Sequence, residues 1–152
     1  MSANRFSLDS NLLVYVFDYK EPRKRAVAEQ ILTTAAVLDC FLGLQAVGEF
    51  FAVSTRKKIL TRTDAAREAL NFLGLFHTFP ASLDAHRSAA AEAAAGRFSY
   101  WDAVLLASAD EAGCKTFLSE DMADGARLGG ITVRNPFGPS GLSAAAAAAL
   151  AP

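Results

Sequence analysis

Acidic residues in apolar stretches are the part of this sequence most able to carry chemistry. They are Asp9, Glu49, Asp102 and Asp121. A carboxylate between core-forming residues loses part of its hydration, which is costly unless a cation or hydrogen-bond donors compensate it. Hard divalent cations prefer oxygen ligands and keep part of their water shell. If the fold brings these carboxylates into one cleft, they would form a Mg²⁺ or Mn²⁺ site.

Each of these acids also has an ordinary structural explanation. Asp9 and Asp102 both precede helical stretches, so either residue could be a helix N-cap. Glu49 could form a buried ion pair with a basic residue. Asp121 shares its neighbourhood with Glu120 and Asp124, so any of these three acids could be the metal ligand. We favour Asp121 as the ligand because side chains alternate along a strand, which puts Glu120 on the opposite side.

Polar and basic residues near the acids are candidates for supporting roles. Ser119 and Asn11 are the supporting candidates, and Ser119 could either hydrogen-bond a ligand carboxylate or simply end its strand. Arg56, Lys57 and Lys58 follow one of the acids on the same predicted helix. A charge run at a helix end is usually solvated, but this run could also bind a phosphate backbone.

Aromatic residues flank two of the acidic positions. Phe50 and Phe51 follow Glu49, while Tyr100 and Trp101 precede the acid at position 102. Such residues beside apolar helical positions are more often core residues than base-stacking surfaces. We therefore predict that all of these aromatic side chains belong to the core.

Composition indicates one globular domain. The chain has 152 residues, of which 52% are hydrophobic, and its formal net charge is −1. This combination excludes the low hydrophobicity and high net charge of a disordered protein. It also excludes a global basic field, so a nucleic-acid partner would have to meet a local basic patch.

Cysteine usage and hydropathy bear on the compartment. Cys40 and Cys114 lie far apart in apolar runs, without the close paired spacing of a zinc site. We expect both residues to be buried thiols in a reducing compartment. The sequence has no apolar segment approaching the ~20 residues of a membrane span and no signal-like apolar run before the first acid. We expect a cytoplasmic protein without membrane association.

The elements that must position the acids alternate along the chain. Short apolar runs predict strands, and helical periodicity fills the segments between them. The predicted strands cover residues 5–8, 37–42, 77–80, 115–119 and 131–133. This alternation implies right-handed crossovers and a parallel sheet covered on both faces. Asp9 and Asp121 each follow a strand, so we expect both at the carboxyl edge, where such sheets bind ligands. Strand order decides whether Glu49 faces the same cleft.

The order of the acidic motifs resembles that of PIN-domain ribonucleases, a metal-dependent family that includes the toxins of VapBC toxin–antitoxin pairs. The motifs are Leu-Asp-Ser-Asn at 8–11, Val-Gly-Glu-Phe-Phe at 47–51, the helical segment at 100–109, and Phe-Leu-Ser-Glu-Asp-Met at 117–122. Each motif is weak alone, but their order over one domain length is specific. The resemblance covers about 6–137. We predict a nuclease domain at 1–137 and a Gly/Ala-rich C-terminal tail at 138–152.

The resemblance carries expectations about fold and function. It implies a three-layer α/β/α sandwich with a central parallel sheet of about five strands. It implies that Asp9, Glu49, Asp102 and Asp121 are catalytic residues that hold Mg²⁺ or Mn²⁺, and that the protein is an endoribonuclease hydrolysing RNA phosphodiester bonds. An antitoxin partner and a homodimer are also implied, and the apolar excess of the first two helices is compatible with a partner surface.

Two alternatives belong to other functional classes. One is a non-catalytic module that keeps the PIN fold and uses its groove to bind nucleic acid or protein. The other is a phosphotransfer domain, which also places acids at strand ends. A phosphotransfer domain would need Asp-x-Asp after the first strand or a lysine after a late one. The chain has Asp9-Ser10-Asn11 and Ser119-Glu120-Asp121 at those places, which argues against it.

Overall fold

Strands and helices alternate along residues 4–152, the part of the chain that the computed structural model describes. The strands are β1 (Phe6–Leu8), β2 (Phe41–Gly43), β3 (His77–Phe79), β4 (Thr116–Leu118), β5 (Arg127–Leu128), β6 (Ile131–Arg134), β7 (Phe137–Gly138) and β8 (Gly141–Leu142). The helices are α1 (Ser10–Tyr15), α2 (Pro22–Ala35), α3 (Leu44–Arg56), α4 (Arg62–Leu75), α5 (Leu83–Ala94), α6 (Tyr100–Glu111) and α7 (Ala144–Ala149). Residues 1–3 of the predicted domain at 1–137 lie outside the described part.

The central strands run in the order β1-β4-β6-β5, and β2 pairs with β3. A parallel bridge between Phe6 and Cys40 brings the segment before β2 alongside β1. The pairs β1–β4, β4–β6 and β2–β3 are parallel, whereas β5 and β6 are antiparallel. The predicted α/β class is therefore confirmed, with a mixed rather than purely parallel sheet.

The antiparallel edge arises from a short hairpin that the sequence analysis did not predict. Leu128 pairs with Ile131, so only Gly129 and Gly130 lie between β5 and β6. Gly129 has a φ of 57°, a left-handed conformation that glycine adopts without steric cost. A Gly-Gly pair between apolar residues is a known hairpin signal, and it is the signal that we missed.

The core consists of two clusters on opposite faces of the sheet. Phe6, Leu8 and Leu118 pack with α1 to α4 in the first cluster. Phe117 and Val133 pack with α5 and α6 in the second. Neighbouring residues of β4 thus point to different faces, as the period of a strand requires. Helices cover the sheet on both sides, which gives the three-layer α/β/α arrangement.

The segment predicted as a tail, residues 138–152, packs against the first cluster. Ala146 and Leu150 of this segment are buried there. The Ser143 hydroxyl accepts a hydrogen bond from the Ala146 N–H at 3.1 Å and caps α7. Its alanines therefore form a short, docked helix, and the division of the chain at 137/138 stays a prediction.

The two cysteines and most apolar residues of α1 and α2 are buried. Cys40 and Cys114 are buried free thiols, as expected. The apolar residues of α1 and α2, such as Leu12, Leu13 and Ile31, are also buried, so the core rather than a partner surface accounts for them. Within residues 4–152, no helix combines the length and the hydropathy needed to cross a membrane.

Candidate functional site

Asp9 lies at the base of the candidate site, directly after β1. Its side chain is 5% exposed. One carboxylate oxygen, Oδ1, accepts a hydrogen bond from the Ser10 N–H at 2.7 Å, and the other, Oδ2, accepts one from the Ser119 hydroxyl at 2.7 Å. Asp9 is thus the N-cap of α1, as one alternative held. Each oxygen keeps a further lone pair, because a carboxylate oxygen accepts more than one bond. Capping therefore leaves Asp9 able to bind a cation.

Ser119 connects the ends of two neighbouring strands. It follows β4, whose Leu118 is in register with Leu8 of β1, and its side chain is fully buried. While its hydroxyl donates to Asp9, its oxygen accepts from the Asp121 N–H at 3.2 Å. This arrangement holds the loop that carries Asp121 against the buried carboxylate. Asp121 itself is exposed at the mouth of the site.

Glu49 reaches the same place from the middle of α3. Its Oε2 accepts from the Ser10 hydroxyl at 3.1 Å, and its Oε1 accepts from the Gln45 amide at 2.9 Å. The Ser10 hydroxyl oxygen is also 3.4 Å from Oδ1 of Asp9, so both carboxylates lie around one hydroxyl. In the described part of the chain, the hydrogen-bond partners of Glu49 carry no positive charge, which argues against the buried ion pair.

Asp102 lies beside this group, in the first turn of α6. The N-cap of α6 is Ser99, whose hydroxyl accepts from the Asp102 N–H at 3.2 Å, so the N-cap alternative for Asp102 is wrong. The Gln45 amide that donates to Glu49 also donates to the Trp101 carbonyl at 3.0 Å. The structure therefore links Asp102 to the other acids through its neighbour's backbone rather than through its own carboxylate.

Sequence analysis missed Ser10 and Gln45, which orient the acids. Gln45 precedes Glu49 by one helical turn, and side chains at that spacing meet on a helix surface. This spacing was the available signal. Ser10 had no such signal, because its hydroxyl contacts Glu49 across 39 sequence positions.

The electrostatics of the site centre on Asp9. The pKa of Asp9 is raised from 3.8 to about 6, chiefly by burial and to a smaller extent by the negative charges of Glu49 and Asp121. Hydrogen bonds from Ser119 and Ser10 oppose this rise. At neutral pH a buried carboxylate is thus mostly ionised close to two other acids. Such a concentration of negative charge favours a bound cation.

The side chains of the site determine whether it could hold a metal ion. Within residues 4–152, no three acidic, histidine or cysteine side chains are close enough to form a ready-made metal site. The four-carboxylate site therefore stays a prediction. The donor chemistry nevertheless suits Mg²⁺, which is commonly held by one or two carboxylates plus water and substrate phosphate. Asn11, the other supporting candidate, has a buried side-chain amide without a hydrogen-bond partner in the described part of the chain, and its supporting role stays a prediction.

Glu120 is engaged elsewhere, which favours Asp121 as the acid that faces the site. Its carboxylate accepts from the Tyr15 hydroxyl at 2.6 Å and pairs with the Lys24 ammonium at 2.8 Å. Burial alone would raise the pKa of Glu120, but the hydrogen bonds from Lys24 and Tyr15 outweigh it and lower the pKa. The charge of Glu120 is therefore already compensated.

The basic residues at the end of α3 lie apart from the acids. Arg56 ends the helix roughly 10 Å along the axis from Glu49, given a rise of about 1.5 Å per residue. Lys57 and Lys58 follow it and line a surface cavity of about 330 Å³ together with Lys20. The structure does not bring these residues into the acid cluster. If they contact RNA, they would therefore contact phosphates at some distance from the cleaved bond.

The aromatic residues near the acids divide into two groups. Phe50 is fully buried in the first core cluster, as predicted, and Phe51 and Tyr100 are half-buried. Trp101 is 61% exposed, so its prediction as a core residue is wrong. Trp101 lies in the first turn of α6, and among the described residues it belongs to neither core cluster, whereas Tyr100 packs against the second.

Known proteins match this chain in fold but not in sequence. No protein-family model matches the sequence, and no curated protein matches it. Solved structures do match. VapC20 from Mycobacterium tuberculosis, described as a sarcin-ricin loop cleaving toxin, matches with a TM-score of 0.60 and 15% identity over 79% of this chain and 90% of that chain.

Two toxin–antitoxin structures match in the same way. A toxin–antitoxin complex from Klebsiella pneumoniae has a TM-score of 0.58 and 22% identity over 86% of this chain and 97% of that chain. VapBC2 from Rickettsia felis, bound to a DNA fragment from its promoter, has a TM-score of 0.61 and 13% identity over 86% of this chain and 98% of that chain. At these identities the likeness concerns the fold. The chain has the PIN-like fold of VapC toxins.

Proposed function

We propose that this protein is a Mg²⁺-dependent or Mn²⁺-dependent endoribonuclease and the toxin of a toxin–antitoxin pair. The buried Asp9 carboxylate, flanked by Glu49 and Asp121 at the carboxyl edge of parallel strands, is the observation that carries this proposal. Its ionised form is costly in the folded protein. A bound divalent cation would compensate the negative charge, and the acids would then serve as its ligands.

The four predicted acids Asp9, Glu49, Asp102 and Asp121 would hold the ion. When bound, the ion supplies a Lewis acid that activates water and offsets charge on the scissile phosphate. The residues around the acids fix their geometry. Ser119 orients Asp9 and positions the loop of Asp121. Hydrogen bonds from the Ser10 hydroxyl and the Gln45 amide engage the two oxygens of Glu49 and orient its carboxylate.

The structural neighbours support the substrate class and the partner. VapC20 is described as cleaving the sarcin-ricin loop, which is RNA, and the other two structures are toxin–antitoxin complexes. RNA is therefore the proposed substrate, and a separately encoded antitoxin is the proposed inhibitor. A homodimer is also proposed, with the exposed Leu70, Leu73 and Leu75 of the α4 region as candidate contacts. The free thiols fit a reducing, cytoplasmic location.

RNA cleavage by the purified protein tests the proposal. We expect fragments of a mixed RNA substrate to appear in Mg²⁺ or Mn²⁺ and to be absent in EDTA, and sequencing the new ends would identify the cleaved bonds. Equal cleavage in EDTA would contradict the metal dependence. Binding of RNA without cleavage under every metal condition would favour the non-catalytic PIN-fold module instead.

The basic end of α3 gives a further prediction. Replacing Arg56, Lys57 and Lys58 together with Ala should weaken RNA binding for every sequence alike and flatten its salt dependence. Each lost phosphate contact lowers the slope of log K against log salt by about one unit. Fluorescence anisotropy of labelled RNA at several salt concentrations measures this slope, and Mg²⁺ binding should be unchanged because no ligand is removed.

A control variant removes two positive charges from the opposite edge of the sheet. Lys115 precedes β4, and Arg127 pairs in register with Thr132 at that same end, away from the acids. The double variant Lys115→Ala, Arg127→Ala should keep the wild-type salt slope. An unchanged slope in the α3 triple variant would assign those three residues to an ordinary solvated helix end.

A further inference from the structure

Trp101 is an exposed aromatic side chain next to the acid cluster. It is the only tryptophan in the chain, and 61% of its surface is exposed. Leu44, which precedes Gln45, is also 46% exposed. Solvent exposure of a large indole forgoes the stabilisation that its burial would provide. A role for the exposed ring would explain why this side chain is not folded into the core.

Two aromatic rings contact the Trp101 side chain but leave most of its surface exposed to solvent. Its ring lies 5.3 Å from the Tyr100 ring at 84° and 6.1 Å from the His86 ring at 87°, and both are edge-to-face arrangements. The His86 ring and the Tyr100 hydroxyl are themselves joined by a hydrogen bond of 2.7 Å. These neighbours restrict the rotamer of Trp101 and leave more than half of its surface to solvent. Such preorganisation lowers the entropy cost of binding a flat ligand.

One side chain connects the tryptophan to the acids. The Gln45 amide donates to the Trp101 carbonyl at 3.0 Å and to Oε1 of Glu49 at 2.9 Å. Asp102 follows Trp101 directly in the chain. The main chain of Trp101 therefore lies next to the site that would hold the scissile phosphate, and its exposed indole belongs to the residue directly before Asp102. A nucleotide next to that phosphate is the planar group that would come within reach.

We propose that Trp101 stacks on an unpaired base of the RNA adjacent to the cleaved bond and thereby helps to hold the substrate. This inference rests on the proposed ribonuclease function. Bases within an A-form duplex are already stacked on their neighbours and offer no free face, whereas bases in loops and single strands can be splayed onto an aromatic side chain. Stacking of this kind tolerates any base, because every base has a π-face. Trp101 thus selects RNA structure rather than sequence.

Because Trp101 is the only tryptophan, its own fluorescence reports the contact. The probe is a single-stranded oligoribonucleotide of about 12 nucleotides, within the range that single-strand-binding folds contact. Titrations are run in EDTA and in Ca²⁺, and a hairpin of the same composition is the comparison. We expect saturable quenching of Trp101 emission by the single strand and weaker quenching by the hairpin.

Variants separate stacking from simple apolar contact. Trp101→Leu should weaken binding of labelled single-stranded RNA by about 5- to 150-fold, the equivalent of one lost stacked base. Trp101→Phe should restore most of the affinity. Leu83→Ala, which shortens another exposed apolar side chain at the start of α5, should bind like the wild type. Thermal unfolding of each variant checks that the exposed substitution leaves the fold intact.

The outcomes distinguish this inference from the proposed function. Quenching by single-stranded RNA without metal-dependent cleavage would support the stacking role and overturn the nuclease. Metal-dependent cleavage with no quenching, and with Trp101→Leu cutting like the wild type, would overturn the stacking role alone. Emission that changes with protein concentration but not with RNA would place Trp101 in a contact between copies of the chain, which also overturns it.

Discussion

Asp9→Asn should lower RNA cleavage by about a hundredfold or more and should stabilise the metal-free protein at neutral pH. Changes to residues that merely support a metal ligand already reduce metal affinity or activity by about 10- to 100-fold, and Asp9 is itself a proposed ligand. Asn keeps the shape of the side chain and can still accept the Ser10 N–H. The substitution therefore removes the charge while keeping the cap.

The stability gain has a defined pH dependence. Burial raises the pKa of Asp9 from 3.8 to about 6, so the folded state holds this proton more tightly than the unfolded state does. Below a pH of about 4 the group is protonated in both states and costs nothing. As pH rises from about 4 to about 6 the wild type loses stability, and at higher pH the loss levels off at about 3 kcal/mol, since each pKa unit corresponds to about 1.4 kcal/mol. Asn carries no such cost.

Denaturant unfolding in EDTA across this pH range measures the effect. The free energy of unfolding of Asp9→Asn should exceed that of the wild type by an amount that grows between pH about 4 and about 6 and is then constant. Added Mg²⁺ should raise the melting temperature of the wild type but not of the variant. Asp84→Asn, at an exposed acid on α5, is the control that should show neither change. Full cleavage activity of Asp9→Asn in Mg²⁺ would refute the proposal.

Ser119→Ala should lower both Mg²⁺ affinity and cleavage by about 10- to 100-fold, although the substitution removes no acid. The buried hydroxyl donates to Oδ2 of Asp9 and accepts from the Asp121 N–H. Its loss leaves Oδ2 of Asp9 and the Asp121 N–H without this partner, so that the carboxylate is held only through Oδ1, at a cost of about 1–3 kcal/mol in stability. The pKa of Asp9 should rise further, because the Ser119 hydrogen bond holds it down.

Isothermal titration with Mg²⁺ and cleavage assays on the same samples test this prediction. The matched control is Ser54→Ala, which removes another fully buried hydroxyl, one that donates to the Phe51 carbonyl at 3.3 Å in the helix that carries Glu49. Ser119→Ala should lose Mg²⁺ affinity, whereas Ser54→Ala should keep the wild-type affinity. Wild-type Mg²⁺ affinity in Ser119→Ala would show that its hydroxyl serves the fold alone.

Much of the framework could be predicted from the sequence because it depends on neighbouring residues. Strands at β1, β4 and β6 follow from short apolar runs, and the helix starts follow from local caps. The location of Asp9 directly after a strand was visible for the same reason. The order of the acidic motifs was enough to predict the fold class. The β5–β6 turn also had a local signal, the glycines at 129 and 130.

Tertiary structure alone decided how the acids are arranged and what surrounds them. Ser119 and Asp9 meet across 110 positions, and Gln45 reaches the Trp101 carbonyl across 56, so strand order and helix packing create both contacts. The exposure of Trp101 also depends on tertiary structure. The pattern of an apolar helix predicts a buried aromatic residue, but it does not show which of the helix residues other elements cover. The periodicity of apolar residues determines which side of a helix or strand a side chain lies on. The packing of segments distant in sequence determines which residues that side contacts.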